Sequence, residues 1–252
     1  MRYIAPDKCI QSRLGERSPP AWECALLVFR DFPSSKVALD LFAPVAPVRY
    51  RMLYNITSAD FEPFVFEAEA GGRSIAIVTR CVWGGPQAAI LVEELAALGV
   101  GTIVGYGVAG SINPELAQGS FVVAESALPT DGTTKSYGAN TPQWPDPDLL
   151  CAADSAGEKV GCALHPVTAA TVDALYRETP ELVEELRGQG ADIVQMECSP
   201  LYAVSRACGV RSVWLGYVTD CLAEGAWHDW YRPLPNANEN AIRICLELIE
   251  TL

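Results

Sequence analysis

One stretch, from Ser74 to Tyr106, constrains the fold of this chain more than any other. It opens on an apolar run, Ser74–Val78, and crosses a Gly84-Gly85-Pro86 turn signal into the run QAAILVEELAAL. There Ile90, Leu91, Leu95 and Leu98 share a face at helical spacing, and Glu93-Glu94 point to water. Pro86 at the first helical position and Gly99 just past the last turn give the asymmetric start and stop signals of a helix. Thr102–Tyr106 then reads as a second buried strand.

The same alternation runs through the rest of the chain. Ala25–Phe29, Phe121-Val122-Val123, Val160–Leu164, Ile193–Met196 and Val213–Val218 read as strands. Thr179-Pro180-Glu181 starts a helix with a cap, a proline and an acidic first turn. Ser199-Pro200 starts another that Gly209 ends, and the last helix runs from Asn236 to the C-terminus. Between about Pro129 and Pro147 the chain is rich in Thr, Gly, Pro and Asp, the composition of a long surface loop. No composition break or internal repeat divides the 252 residues. The expectation is one α/β domain over 1–252, with a twisted mixed central sheet flanked by helices.

Charge bounds the partners. Lys+Arg 18 against Asp+Glu 31 leaves a formal charge of −13, with no basic patch to attract a phosphate backbone or anionic lipid. The chain is therefore expected to bind neither nucleic acid nor membrane. Its apolar runs are far shorter than the ~20 residues of a membrane helix. The start, MRYIAPDKCI, lacks the apolar core of a secretory signal, so a cytoplasmic location is expected. Nine cysteines without a C-x-x-C pair read as small hydrophobes, and His165 and His228, the only histidines, exclude a His-rich metal centre. No metal is expected.

Gly105-Tyr106-Gly107-Val108-Ala109-Gly110 fits G-x-G-x-x-G, with Asp131 near the distance of a ribose-binding carboxylate. A dinucleotide site requires the third glycine to lead into a helix. Here SINPELAQGS and the strand FVVAE follow instead. The motif is read as a tight turn at a strand end, or as backbone that approaches a small ligand closely.

Taken together, the strand, Gly-Gly-Pro, helix, strand and glycine turn, then Val194-Gln195-Met196-Glu197 and Val218-Thr219-Asp220, resemble the nucleoside phosphorylase/nucleosidase family. That family includes uridine phosphorylase, hexameric purine nucleoside phosphorylase and methylthioadenosine nucleosidase. The likeness runs from about Ile75 to Asp220, and Thr171-Val172-Asp173-Ala174-Leu175-Tyr176 falls where the family carries a Ser/Thr-x-Asp-x-aromatic-Tyr stretch. The resemblance implies cleavage of the bond between ribose and base, without a cofactor but with phosphate as a possible co-substrate. It also implies a homo-oligomer, as a dimer, trimer or hexamer.

By position, the resemblance makes Glu197 the holder of the ribose hydroxyls and packs Met196 against the sugar. Val194 and Gln195 line the pocket largely through backbone, Val108, Ala109 and Gly110 contact substrate, and Asp220 faces the imidazole edge of a purine. The chemistry agrees: breaking an N-glycosidic bond builds positive charge on the sugar and negative charge on the base, so each end needs its own carboxyl. Glu197 is expected to stay ionised. Asp220, ending the apolar run WLGYVT, is expected to share a proton at neutral pH through burial or a nearby negative charge. Plainer roles are open to the same residues, Glu197 as a solvated or capping residue and Asp220 as a turn former. Tyr176 and Trp83 read as core or pocket wall, and His228 lies in an aromatic loop that could form a lid.

The chain departs from the family where phosphate binds. Gly105 stands in place of the family's Arg, Val108 in place of its Ser or Thr, and Arg30-Asp31-Phe32-Pro33-Ser34 keeps only the Asp of a Gly-Asp-x-x-Arg segment. A dianion without a bidentate cation loses its strongest ligand. Either other residues (Arg30, Asp31, Arg80, Gly107, or Arg49 from this or a neighbouring subunit) rebuild a phosphate or water site, or water replaces phosphate and the protein is a nucleosidase. A nucleoside-binding protein without turnover is a further alternative. Uridine fits less well, since Thr179 and Glu181 stand where uracil-reading Gln and Arg are found.

Overall fold

The computed structural model describes residues 3–48, 64–81, 84–223 and 234–252. The chain opens with α1 (Pro6–Leu14), β1 (Cys24–Val28), α2 (Phe32–Leu41) and a short β2 (Ala46–Pro47). There follow β3 (Val65–Ala70), β4 (Arg73–Val78), α3 (Gly85–Ala97), β5 (Thr102–Ser111), β6 (Phe121–Leu128) and α4 (Gly132–Ser136). The second half comprises α5 (Pro147–Val160), β7 (Leu164–Thr171), α6 (Pro180–Gly188), β8 (Ile193–Gln195), α7 (Cys198–Cys208), β9 (Arg211–Cys221) and α8 (Ala237–Glu250).

The nine strands form one mixed sheet in the order β2-β3-β4-β1-β5-β8-β7-β6-β9, and β9 pairs back onto β5. Five strands, β5, β8, β7, β6 and β9, thereby close into a ring, while β1, β4, β3 and β2 extend from β5 as an open wing. Helices cover both faces, so β1 and most of β5 are buried throughout. Helices α3 and α7 enclose one core with Leu91, Leu95, Leu201 and Trp214. Helices α5 and α8 enclose the other with Leu149, Ile242 and Leu248.

Several expectations change. The glycine motif is no turn, because Gly105 to Gly110 all lie inside β5. Its glycines serve packing: a Cβ on Gly105 sits 2.8 Å from Leu201 Cδ2, and one on Gly107 sits 3.1 Å from the Trp214 ring. Asp131 does not face a ribose; it is buried and caps α4 through the Thr134 N–H at 2.6 Å. Val160 ends a helix and the strand begins at Leu164, because Gly161 takes the left-handed C-cap. The Pro129–Pro147 stretch is partly ordered by α4 and by a bridge between Ala127 and Gln143. Glu94 is buried, paired with Arg13 at 2.8 Å, because α1 covers that side of α3. Of the nine cysteines, all free, Cys24, Cys81, Cys198 and Cys245 are buried and Cys151 is exposed. No described helix is long and apolar enough to cross a membrane.

Candidate active site

An open cleft of about 560 Å³, including its solvent-filled mouth, lies where β5, β8 and β9 end. Val108, Ala109 and Gly110 of β5 form one wall, and Val194, Gln195, Met196 and Glu197 another. Thr219 and Asp220 of β9, with Leu175 and Glu178 from the segment before α6, complete it beside Phe29. Ligands in open α/β sheets bind outside the carboxyl ends of the strands, where the connections diverge.

The start of α7 is the most firmly built part. The Gln195 carboxamide oxygen accepts the N–H groups of Glu197 at 2.5 Å and Cys198 at 2.7 Å, satisfying two donors that a helix start leaves open. Its amide nitrogen donates to Thr171 Oγ1 at 2.6 Å, and the same oxygen accepts the Ser199 N–H at 3.0 Å. Gln195 therefore lines the cleft with a side chain already engaged in holding the helix.

Glu197 occupies the cap position of α7 without capping it. Its Oε1 instead accepts the Gly84 N–H at 2.8 Å. The Gly-Gly-Pro signal makes this possible. Gly84 has φ +113, and a Cβ on Gly85 lies 2.8 Å from Pro200 Cγ, so two glycines let the start of α3 touch the start of α7. Burial pushes the Glu197 carboxyl up to about 7, against the pull of the Gly84 and Met196 backbone N–H groups. With this carboxyl near 7, the ionised form expected from the sequence shares the population with the protonated one at neutral pH. Ligand hydroxyls donating to it favour the ionised form.

Asp220 reaches the cleft through a register break. Ala109 pairs with Val218 but Gly110 pairs with Asp220, so Thr219 is one residue extra on β9. Such a bulge re-aims the side chains that follow it. Asp220 is 8% exposed, its Oδ1 accepts the Thr219 hydroxyl at 2.8 Å, and a Cβ on Gly110 lies 3.3 Å from its Oδ2. Glu178 is a further carboxyl lining this part of the cleft. Burial first, and the Asp220 charge second, push the Glu178 carboxyl up to about 7. Glu178 has no place in the sequence reading, which attends to Thr179 and Glu181. Thr179 caps α6 through the Leu182 N–H, and Glu181 is exposed.

Arg30, Asp31, Arg80 and Gly107 are absent from the described wall of the cleft. Asp31 is exposed and caps α2 through the Ser34 N–H at 3.1 Å. Gly107 packs beneath Trp214. The Arg30 guanidinium contacts Ser34 Oγ at 3.2 Å and the Tyr217 hydroxyl at 3.4 Å, and its buried Nε has no hydrogen-bond partner among the described residues. Arg80 lies over the Phe64 ring at 4.5 Å. Ser35 joins the two segments, donating to the Arg30 carbonyl at 3.4 Å and accepting the Arg80 N–H at 3.2 Å. Tyr176 is 94% exposed rather than core or wall, because the turn over Leu175–Arg177 sends Leu175 inward. Arg49, Trp83 and His228 lie outside the described residues.

The sequence profile of the Phosphorylase superfamily matches residues 54–250. The chain belongs to that superfamily. Guanosine phosphorylase of Halorubrum lacusprofundi is 31% identical over 149 residues, 59% of this chain and 61% of that protein. Uridine phosphorylase of Thermococcus kodakarensis is 31% identical over 149 residues, 54% of each chain. The crystal structure of purine nucleoside phosphorylase from Toxoplasma gondii, in complex with immucillin-H, superposes with a TM-score of 0.79. It is 20% identical, with 100% of this chain and 98% of that one covered, so it speaks for the fold.

Membership of the phosphorylase superfamily marks the protein as an enzyme of nucleoside phosphorylase-like type. The site fits that chemistry on its own terms. One carboxyl is deeply buried and held by backbone, two more line the same cleft, and Met196 precedes the first in sequence.

Proposed function

We propose that the protein cleaves the N-glycosidic bond of a purine nucleoside, with phosphate as the acceptor. The observation that carries this reading is that Glu197, Met196 and Asp220 line a single cleft. The ionised Glu197 accepts the ribose hydroxyls and steadies the positive charge that grows on C1′ as the bond to N9 lengthens. The bonding pair leaves with the base, where Asp220 donates its proton to N7. Met196 packs on the apolar sugar face. C1′ then bonds to a phosphate oxygen.

Arg30 supports a phosphate site beside Phe29, since among the described residues its guanidinium has two hydroxyl contacts and an Nε without a hydrogen-bond partner. Gly105 supports the second reading, in which water attacks. The position of the family's phosphate Arg is closed here by Leu201 and Trp214. Assembly into a homo-oligomer that completes the nucleophile side belongs to the same proposal.

Incubation with guanosine, inosine, adenosine and uridine, with and without phosphate, tests it by chromatography of the released base. Phosphate-dependent release from a purine nucleoside is expected, and release without phosphate shifts the assignment to hydrolysis. Tight nucleoside binding with no base release under either condition would leave a binding protein and overturn the enzymatic reading.

A further inference from the structure

Thr171 and Gln195 are partners across β7 and β8, and each is the last residue of its strand, at the level where α7 begins. The Gln195 carboxamide oxygen accepts the N–H groups of Glu197 and Cys198, and its amide nitrogen donates to Thr171 Oγ1 at 2.6 Å and to the Ala170 carbonyl at 3.3 Å. A carboxamide has two acceptor sites and two donors, so all four are used and none is left for a substrate hydroxyl. Thr171 Oγ1 in turn accepts the Ser199 N–H at 3.0 Å. Thr171, Gln195 and Ser199 are all buried.

Glu197 stands at the cap position of α7. A side-chain oxygen there ordinarily accepts an N–H of the second or third helical residue, and a carboxylate is drawn further by the partial positive charge of the helix start. In α7 the third residue is Pro200, which has no N–H, so the one group within such reach is the N–H of Ser199. Thr171 already holds it. With that position taken, Glu197 Oε1 accepts the Gly84 N–H from the start of α3 instead.

We propose that Thr171 and Gln195 are positioning residues for the Glu197 carboxylate: by occupying the open N–H groups of α7 they keep Glu197 from capping its own helix and leave it facing the cleft. The inference rests on the sugar-binding role proposed for Glu197 and deepens it. It also gives Gln195 a task other than contact with substrate. A carboxylate that turned onto its own helix would stay charged and buried yet lie away from the sugar, and misplacement on the scale of an ångström is enough to slow a positioned reaction severely.

The test is a double-mutant cycle on kcat/KM for inosine in phosphate buffer, combining Thr171→Val with Glu197→Ala, with melting curves to verify folding. Thr171→Val keeps the side-chain shape and frees the Ser199 N–H. It is expected to lower kcat/KM by about 10–100-fold, mainly through kcat. In the Glu197→Ala background the same change is expected to cost less than about twofold, because no carboxylate remains to be misplaced. Thr171→Ser keeps the acceptor oxygen and should restore turnover to within about threefold of the unmodified enzyme. Gln195→Met, whose thioether is a weak acceptor and no donor, should repeat the Thr171→Val pattern and carries the cycle if that variant does not fold. A loss of equal size in both backgrounds marks a general structural defect and overturns the positioning role. Folded Thr171→Val and Gln195→Met variants that keep turnover within about twofold overturn it as well. Undiminished turnover by Glu197→Ala overturns instead the sugar-binding role on which the inference rests.

Discussion

Glu197 and Arg30 each follow the end of a β-strand, the first in the wall of the cleft and the second next in sequence to Phe29, which lines it, and the protein holds them in contrasting ways. Glu197 is 3% exposed, fixed by the Gly84 N–H at 2.8 Å and seated on a helix start that Gln195 and Thr171 have already tied down. Arg30 is half-buried, contacts two hydroxyls at 3.2 and 3.4 Å, and lies over Tyr217 at 5.8 Å. On the proposed reading the sugar side is organised before substrate arrives, whereas the nucleophile side has capacity left for a ligand. A preorganised carboxylate acts in the transition state without rearrangement, so its removal is felt in the rate. A loosely held cation acts mainly by binding.

Glu197→Ala should break the comparison most severely. Loss of its charged hydrogen bonds to the sugar is expected to lower kcat/KM for a purine nucleoside by about 10³-fold, at roughly 1.5–3 kcal/mol for each of two bonds. Asp220→Asn keeps the shape and removes the proton donor. Its expected effect, measured by steady-state base release, is a fall of about 100-fold in kcat with KM little changed. Arg30→Ala is expected to raise KM for phosphate by about tenfold while kcat changes less, the mark of an interaction used in binding. A tenfold fall in kcat from Arg30→Ala with unchanged phosphate KM would reverse the contrast.

The smallest effect concerns stability. The Glu197 carboxyl sits at about 7 in the fold against an ordinary 4.5, so between these values the folded protein holds the proton more tightly than the unfolded chain. This contribution is present in full below 4.5 and is lost as pH rises through about 7. Glu197→Gln keeps an acceptor for Gly84 and removes the buried charge. At pH 8 it should stabilise the protein by about 1–3 kcal/mol, an advantage that disappears near pH 4. Melting curves of both proteins at the two pH values check it. The enzyme is expected to gain stability through a change that removes the buried carboxylate its proposed reaction uses.

Elements with a strong local signature were legible in the sequence. The α3 helix, bracketed by Pro86 and Gly99, and the α/β alternation needed only periodicity and caps, and it was the resemblance to a known family that put Met196, Glu197 and Asp220, which line one cleft, in a common site. What escaped depends on contacts between distant segments. The glycines of Gly105–Gly110 belong in a strand because Trp214 and Leu201, over ninety residues away, occupy the Cβ space. Closure of β9 onto β5 leaves no mark in either strand alone. Glu94 looked solvated until α1 covered it, and the hold of the Gln195 carboxamide on the start of α7 has no signal in the local sequence. Glu178 escaped because its meaning lies in Asp220, forty-two positions later, and a one-residue difference separates it from the exposed, capping neighbourhood of Thr179.

The most direct test is the time course of hypoxanthine release from inosine in phosphate buffer by the unmodified enzyme, Glu197→Ala and Asp220→Asn, run side by side. Release by the unmodified enzyme that falls by about 100-fold or more in both variants is the predicted result. No release, or release undiminished in the folded variants, would contradict the assignment of this cleft to glycosidic bond cleavage.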